Sequence, residues 1–192
     1  MGFLTFLAGK SKKATAKIKD KKDNVDVKEK KQKTKRVLKT ENAEAVENYM
    51  ACLNRHGSVD EMLKLFTSEN AKIKFDDSPS MTALGLVTEI RNCYLGFGDL
   101  KFNYESIKEV KPGQVLVEDL VVTGTHTQDF QFANFPVIPR TNKHVLLDPE
   151  RLWFTMKDGK IYKQEITALG NLTGPPGMYL LVGGRLEPPA QD

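Results

Sequence analysis

Residues 122–161 read VTGTHTQDFQFANFPVIPRTNKHVLLDPERLWFTMKDGKI. A β-branched run closes in Thr123-Gly124-Thr125-His126-Thr127. A loop follows, carrying Phe135-Pro136, Ile138-Pro139 and Thr141-Asn142-Lys143. Apolar and polar residues then alternate up to the Asp158-Gly159 turn. A period of two ending in Asp-Gly is the pattern of antiparallel strands joined by a tight turn. Reading outward, strands are expected over Phe102 to Val110, Val115 to Phe132, Lys143 to Met156 and Lys160 to Ala168. Lys111-Pro112-Gly113, the proline loop and Asp158-Gly159 separate them.

Before residue 100 the period changes to that of helices. Ala45, Tyr49, Cys52 and Leu53 recur at helical spacing ahead of Gly57, which predicts a helix from Glu41 to about His56. Ser58 followed by Glu61 is a capping-box pattern, predicting a second helix through Phe66. Ala71 to Phe75 alternates as a short strand ended by Asp76-Asp77-Ser78-Pro79. A third helix is expected over Ala83 to Leu95, closed by Gly96 and Gly98. Helices first and long strands afterwards indicate an α+β fold, in which a curved antiparallel sheet buries one face against three helices.

This order of elements, with Thr123-Gly124-Thr125-His126-Thr127, the Phe135-Pro136 to Lys143 segment ending Pro-x-Thr-x-Lys, and Asp158-Gly159-Lys160-Ile161, resembles the SnoaL-like polyketide cyclase branch of the nuclear transport factor 2-like superfamily. The resemblance covers about residues 42–172. It implies a cone-shaped sheet closed by helices around an apolar pocket, frequently paired through the sheet into a homodimer. In the branch members that act by acid–base chemistry it also implies a carboxylate near the end of the strand after Gly-Lys-Ile. Here that strand runs Gln164-Glu165-Ile166-Thr167-Ala168, and no acid follows Glu165 before Glu187.

The catalytic candidates are therefore His126 and Glu165. A neutral imidazole at a strand end offers one proton donor and one acceptor near neutral pH. Its plainer role is to hydrogen-bond within the fold and fix the loop. Glu165 shares parity with Ile161, Lys163 and Thr167, so alternation does not decide its face. Turned outward beside Lys163 it is ordinary surface. The expected pocket lining is Tyr94, Phe102, His126, Trp153 and Phe154, with either Trp153 or its neighbours Leu152 and Phe154 facing inward. Asp148 and Glu150 flank Pro149, which suggests an edge or bulge, and they read as solvated. His56 fits a helix end and His144 an exposed strand. No metal-ligand pattern, Gly-rich phosphate cradle or nucleophile elbow occurs, so neither metal nor cofactor is expected.

Charge is segregated. Residues 10–39 hold 14 Lys and Arg against four acids, a net of +10, and the whole-chain +4 leaves −6 for the remainder. A mildly acidic domain argues against sequence-specific nucleic-acid binding by its own surface. The expected organisation is a lysine-rich, disordered arm with an apolar tip over 1–40, a domain over 41–172, and a Pro/Gly-rich extension over 173–192. Through residues 1–39 the arm suits an anionic membrane surface or a polyanion, against the plainer reading of a solvated extension. Gly2 lacks the Ser or Thr that myristoylation wants at Phe6, and the lysines follow the apolar tip where a secretory signal would have them before it. An intracellular location, cytoplasmic or nuclear, is expected, with organelle targeting left open. Cys52 and Cys93 fit buried helix positions.

Thr173-Gly174-Pro175-Pro176-Gly177 followed by Met178-Tyr179-Leu180-Leu181-Val182 reads as a stiff turn leading to an apolar run, fit to plug the pocket mouth or to dock on a partner. Three functions remain: binding of a small apolar molecule with weak or no catalysis; metal-free acid–base chemistry on a carbonyl compound, as a cyclase, isomerase or hydrolase; and a dimeric interaction module with a basic arm.

Overall fold

The Thr40 hydroxyl accepts the Ala43 N–H at 3.2 Å and starts α1 (Glu41–Asn54), whose first-turn Glu41 and Glu44 suit the positive end of the helix dipole. Val46, Tyr49, Met50 and Leu53 form its buried stripe. This computed structural model describes residues 39–76 and 78–186, so the expectations for the lysine-rich arm fall outside the described residues. The capping box forms as read: Ser58 and Glu61 exchange side-chain and backbone hydrogen bonds at the start of α2 (Val59–Leu63). The helix ends before Phe66, because Leu65 and Thr67 bond through their backbones to Ile161 and draw the chain into a bridge.

The remaining elements are β1 (Lys72–Phe75), β2 (Met81–Thr82), α3 (Ala83–Gly96), β3 (Lys101–Asn103), β4 (Ser106–Lys111), β5 (Gln114–Thr125), β6 (His144–Leu146), β7 (Glu150–Lys157), β8 (Lys160–Ala168) and α4 (Gly174–Leu181). The strands form one curled sheet in the order β2-β1-β8-β7-β5-β3, with β4 and β6 also pairing with β5. Pairing is antiparallel except between β1 and β8, which run parallel, so the sheet is mixed.

Three expected strands are shorter than read. The first divides into β3 and β4. β5 ends at Thr125, and of the Phe130–Phe132 stretch only Phe130 keeps a bridge, to Ile138. The Lys143–Met156 run is broken between β6 and β7, where Pro149 has no N–H to give a ladder. The terminal segment, read as a turn and an apolar run, is helical. Pro175 and Pro176 occupy the first turn of α4, where a missing N–H costs nothing.

Three register shifts interrupt the ladders, one of them at Glu109/Lys111 between β4 and β5, and the other two lie in the pairings of β7. Of these two, one lies between Val117 and Leu120, where Asp119 has φ +48; the other lies at Thr155/Met156 opposite Lys163 and Ile161. The concave face carries the core. Tyr49 from α1 meets Phe154 of β7 and Phe66 edge-on, with ring centroids 5.8 and 5.6 Å apart. Among the described residues, no helix is long and apolar enough to cross a membrane.

Candidate functional site

β7 alternates without interruption. Glu150, Leu152, Phe154 and Met156 turn inward, while Arg151, Trp153 and Thr155 turn to the other face. Glu150, 6% exposed, is thus carried into the interior by the same parity that buries its apolar neighbours. The reading of Glu150 as solvated is wrong, and Asp148 is no idle surface acid either. The Asp148 carboxylate accepts the Asn171 and Leu172 N–H groups at 2.8 and 2.9 Å, tying the chain after β8 to the entry of β7.

The curl of the sheet encloses an apolar chamber of ≈ 60 Å³ with walls that include Leu53, Ile90, Phe102, Val122, Leu152 and Ile166. Met178 and Pro175 of α4 close part of it, so the terminal helix narrows the interior as a plug would. An adjoining vestibule of ≈ 300 Å³ shares Phe75, Leu86, Glu150, Ile166, Gly174 and Pro175 with the chamber and adds Asp76, Glu89 and Thr173. Glu150 therefore stands where the two spaces meet. Burial pushes its carboxyl up to about 7; the Gly174 N–H and Thr173 hydroxyl oppose the rise, and the Asp76 carboxylate adds to it. Such a group holds or releases a proton near neutral pH, the property a general acid or base needs.

The acid that the resemblance implies at the end of β8 has a counterpart across the ladder. Glu150 is the register partner of Ala168, the last residue of β8, so a carboxylate reaches that end of the sheet from the adjacent strand. The parity of Glu150 with Leu152 and Phe154 was the available signal, and Pro149 obscured it.

Other chamber residues carry little chemistry. Cys93 lines the wall with its thiol pushed up to about 12 by burial, and so stays protonated. Gln164 of β8 is the second strongly polar residue of the chamber. It is 2% exposed, and its side-chain oxygen has no hydrogen-bond partner.

Of the residues expected to line the pocket, Phe102 does so. Tyr94 is buried beside it, donates its hydroxyl to the Leu53 carbonyl at 2.8 Å and stacks on His56 at 4.2 Å. Phe154 packs on Tyr49 in the core, and Trp153 lies on the outer face.

His126 and Glu165 are not brought together. His126 is fully buried, with its ring 5.2 Å from that of Phe97 and 6.3 Å from that of Phe130, and it lines neither chamber nor vestibule. Its Nδ1 accepts the Thr141 N–H at 3.2 Å, with the Thr141 hydroxyl 3.0 Å away, which leaves the proton on Nε2. Its backbone N–H donates to the Lys143 carbonyl, and its carbonyl accepts from Asn142. The two most distinctive motifs, Thr-Gly-Thr-His-Thr and Pro-x-Thr-x-Lys, thus bind each other and fix the loop. Burial lowers the His126 pKa, keeping the ring neutral. Glu165 faces outward, its carboxylate 2.9 Å from the Lys163 ammonium and its side chain 41% exposed. His144 is exposed, and His56 bonds the Leu100 carbonyl through Nε2 at 3.0 Å. Among the described residues, no group of three or more His, Cys, Asp or Glu side chains is placed to hold a metal ion.

A curled sheet closed by helices around an apolar interior is an α+β cone. No protein-family model matches the chain, and no curated protein sequence matches it significantly. Solved structures do match. AclR, a candidate hydroxylase from Streptomyces galilaeus, superposes with a TM-score of 0.59 at 18% identity, over 78% of this chain and 85% of its own. A candidate SnoaL-like polyketide cyclase from Jannaschia sp. CCS1 gives 0.53 at 17% identity, over 68% and 86%. IdmH, a candidate polyketide cyclase from Streptomyces antibioticus, gives 0.52 at 15%, over 66% and 91%. The fold is the one these solved structures share, the helix-closed α+β cone that the resemblance implied.

Proposed function

We propose that the domain binds a small, largely apolar molecule, with the apolar part in the chamber and a carbonyl or hydroxyl group against Glu150. The observation that carries this reading is the place of Glu150: a buried carboxyl titrating near neutrality, at the junction of an otherwise apolar chamber and an open vestibule. Protonated, it donates a hydrogen bond to a carbonyl oxygen. Ionised, it accepts a proton. The chamber volume limits what enters fully, since each water-sized group needs roughly 10–15 Å³. A short alkyl chain fits within the chamber; a single ring, which fills an apolar cavity of roughly 150 Å³, spans chamber and vestibule, and a polycyclic body belongs in the vestibule.

Acetophenone is a suitable probe. Its binding, followed by chemical-shift changes in the full-length protein, is expected to saturate and to weaken as pH rises through about 7. Glu150→Gln should abolish that pH dependence while retaining affinity, because the amide still donates. Absence of saturable binding overturns the reading.

The same titration favours a second reading, acid–base chemistry with Glu150 in place of His126 and Glu165. Ionised Glu150 removes a proton from the carbon next to the carbonyl, and the carbon recovers one from the protonated carboxyl. Deuterium exchange into the acetophenone methyl group should then rise with pH through about 7 and fall by at least about a hundredfold in Glu150→Gln. Equal exchange in both proteins leaves a binding domain only.

A further inference from the structure

We infer that Gln164 is a recognition residue of the chamber, and that the ligand carries a hydroxyl at its inner end to meet it. The inference rests on the binding reading above and specifies its ligand.

Gln164 sits on β8 opposite Phe154, with its side chain in the chamber wall. It is 98% buried by the complement of its 2% exposure, and its Oε1 is without a partner. A buried amide oxygen without a partner is costly, whereas an apolar side chain of the same shape at that position is close to neutral. A fold that keeps the amide in an apolar wall therefore points to an absent partner. Gln164 lines the chamber but not the vestibule, whereas Glu150 lines both. Along β8, Gln164 lies four residues from Ala168, the partner of Glu150, which is about 13 Å at strand rise. The two polar residues mark the inner and outer ends of one apolar space.

A half-turn of the amide exchanges its oxygen and nitrogen, so it offers either an acceptor or a donor. A hydroxyl satisfies either. The ligand class is then a short molecule with an apolar middle of one ring or a few carbons, a hydroxyl at the inner end, and at the outer end a group that exchanges a hydrogen bond with Glu150.

The test compares 4-hydroxyacetophenone with acetophenone at pH 6, against the full-length wild type and Gln164→Leu. Wild type is expected to bind the hydroxylated probe about tenfold more tightly, the size of one buried hydrogen bond. Gln164→Leu should bind both probes within about twofold of each other, hold acetophenone at least as well as wild type, and melt at the same or a higher temperature. Gln164→Met supplies the same comparison should the leucine variant fail to fold. Acetophenone binding without preference in wild type, or a preference that survives in the variant, overturns the inference and leaves the binding reading standing. A marked loss of melting temperature in both variants also overturns it, since the amide then serves the fold. Failure of both probes to saturate overturns both readings, whereas failure of the hydroxylated probe alone overturns only the inference.

Discussion

Glu150 and His126 are both buried and both resist charge, yet they move stability with pH in opposite directions. The Glu150 carboxyl rises from 4.5 to about 7, so the folded chain binds more protons than the unfolded one between those values. Its contribution is complete below pH 4.5 and is lost as pH climbs through about 7, a loss on the order of 3 kcal/mol. The His126 pKa is lowered from 6.5, so there the unfolded chain binds the extra proton, and stability is lost as pH falls below about 6.5. Thermal melts across pH 4–9 should separate the two. Glu150→Gln should remove the loss toward neutral pH and exceed wild type above pH 7 by up to about 3 kcal/mol. His126→Leu should flatten the acid limb while costing about 1–2 kcal/mol overall, since the Thr141 N–H loses its acceptor. His126→Leu should also leave acetophenone binding unchanged, because the ring lines neither space. An altered affinity in that variant would put His126 back in the site.

At the scale of elements, α4 decides how open the interior is. Tyr179 anchors it by donating its hydroxyl to the Pro136 carbonyl at 2.8 Å, and Met178 reaches the chamber. Gly177 lets the helix lie close to the chain before it, where a Cβ would come within 2.6 Å of the Leu172 carbonyl carbon. Backbone does not yield as a side-chain tip does. Gly177→Ala should therefore displace α4 at a cost of about 1–3 kcal/mol, read as a lower melting temperature and faster amide exchange over Met178–Leu181. Exchange that stays slow there would mean that α4 keeps its place despite the added methyl group. This element was hard to read because Gly-Pro-Pro-Gly is a turn signal, and nothing local shows that two prolines will sit in a helical first turn. The alternation of β7 was legible, but which of its faces turns inward and where it begins were not, and Pro149 hid Glu150. The alternation of β8 was not legible. The register shift near Tyr162 moves the inward parity from Ile161 to Gln164, Ile166 and Ala168, turning Glu165 outward and Gln164 in. A bulge is set by the partner strand, so alternation within β8 cannot reveal it. The motifs around His126 identified the fold because they build it, and for the same reason they said little about chemistry.

For the molecule as a whole, the separation of charge makes the acidic domain and the lysine-rich segment opposite in their response to a charged surface. Residues 10–39 carry +10, and the remainder −6. At an anionic bilayer each lysine close to the surface contributes on the order of 1 kcal/mol, and the attraction fades within a Debye length of about 10 Å at 0.1 M salt. Phe3, Leu4, Phe6 and Leu7 add an apolar tip beside those charges. The full chain should therefore sediment with vesicles containing phosphatidylserine at low salt and come off as salt is raised, while neutral phosphatidylcholine vesicles retain little. A chain lacking residues 1–38 keeps the domain and its negative charge, and it should be repelled by the same anionic vesicles. The decisive comparison is the truncated chain at low salt. Binding that persists there would place the membrane-active surface on the folded domain, against its net charge, and would remove the arm from the account.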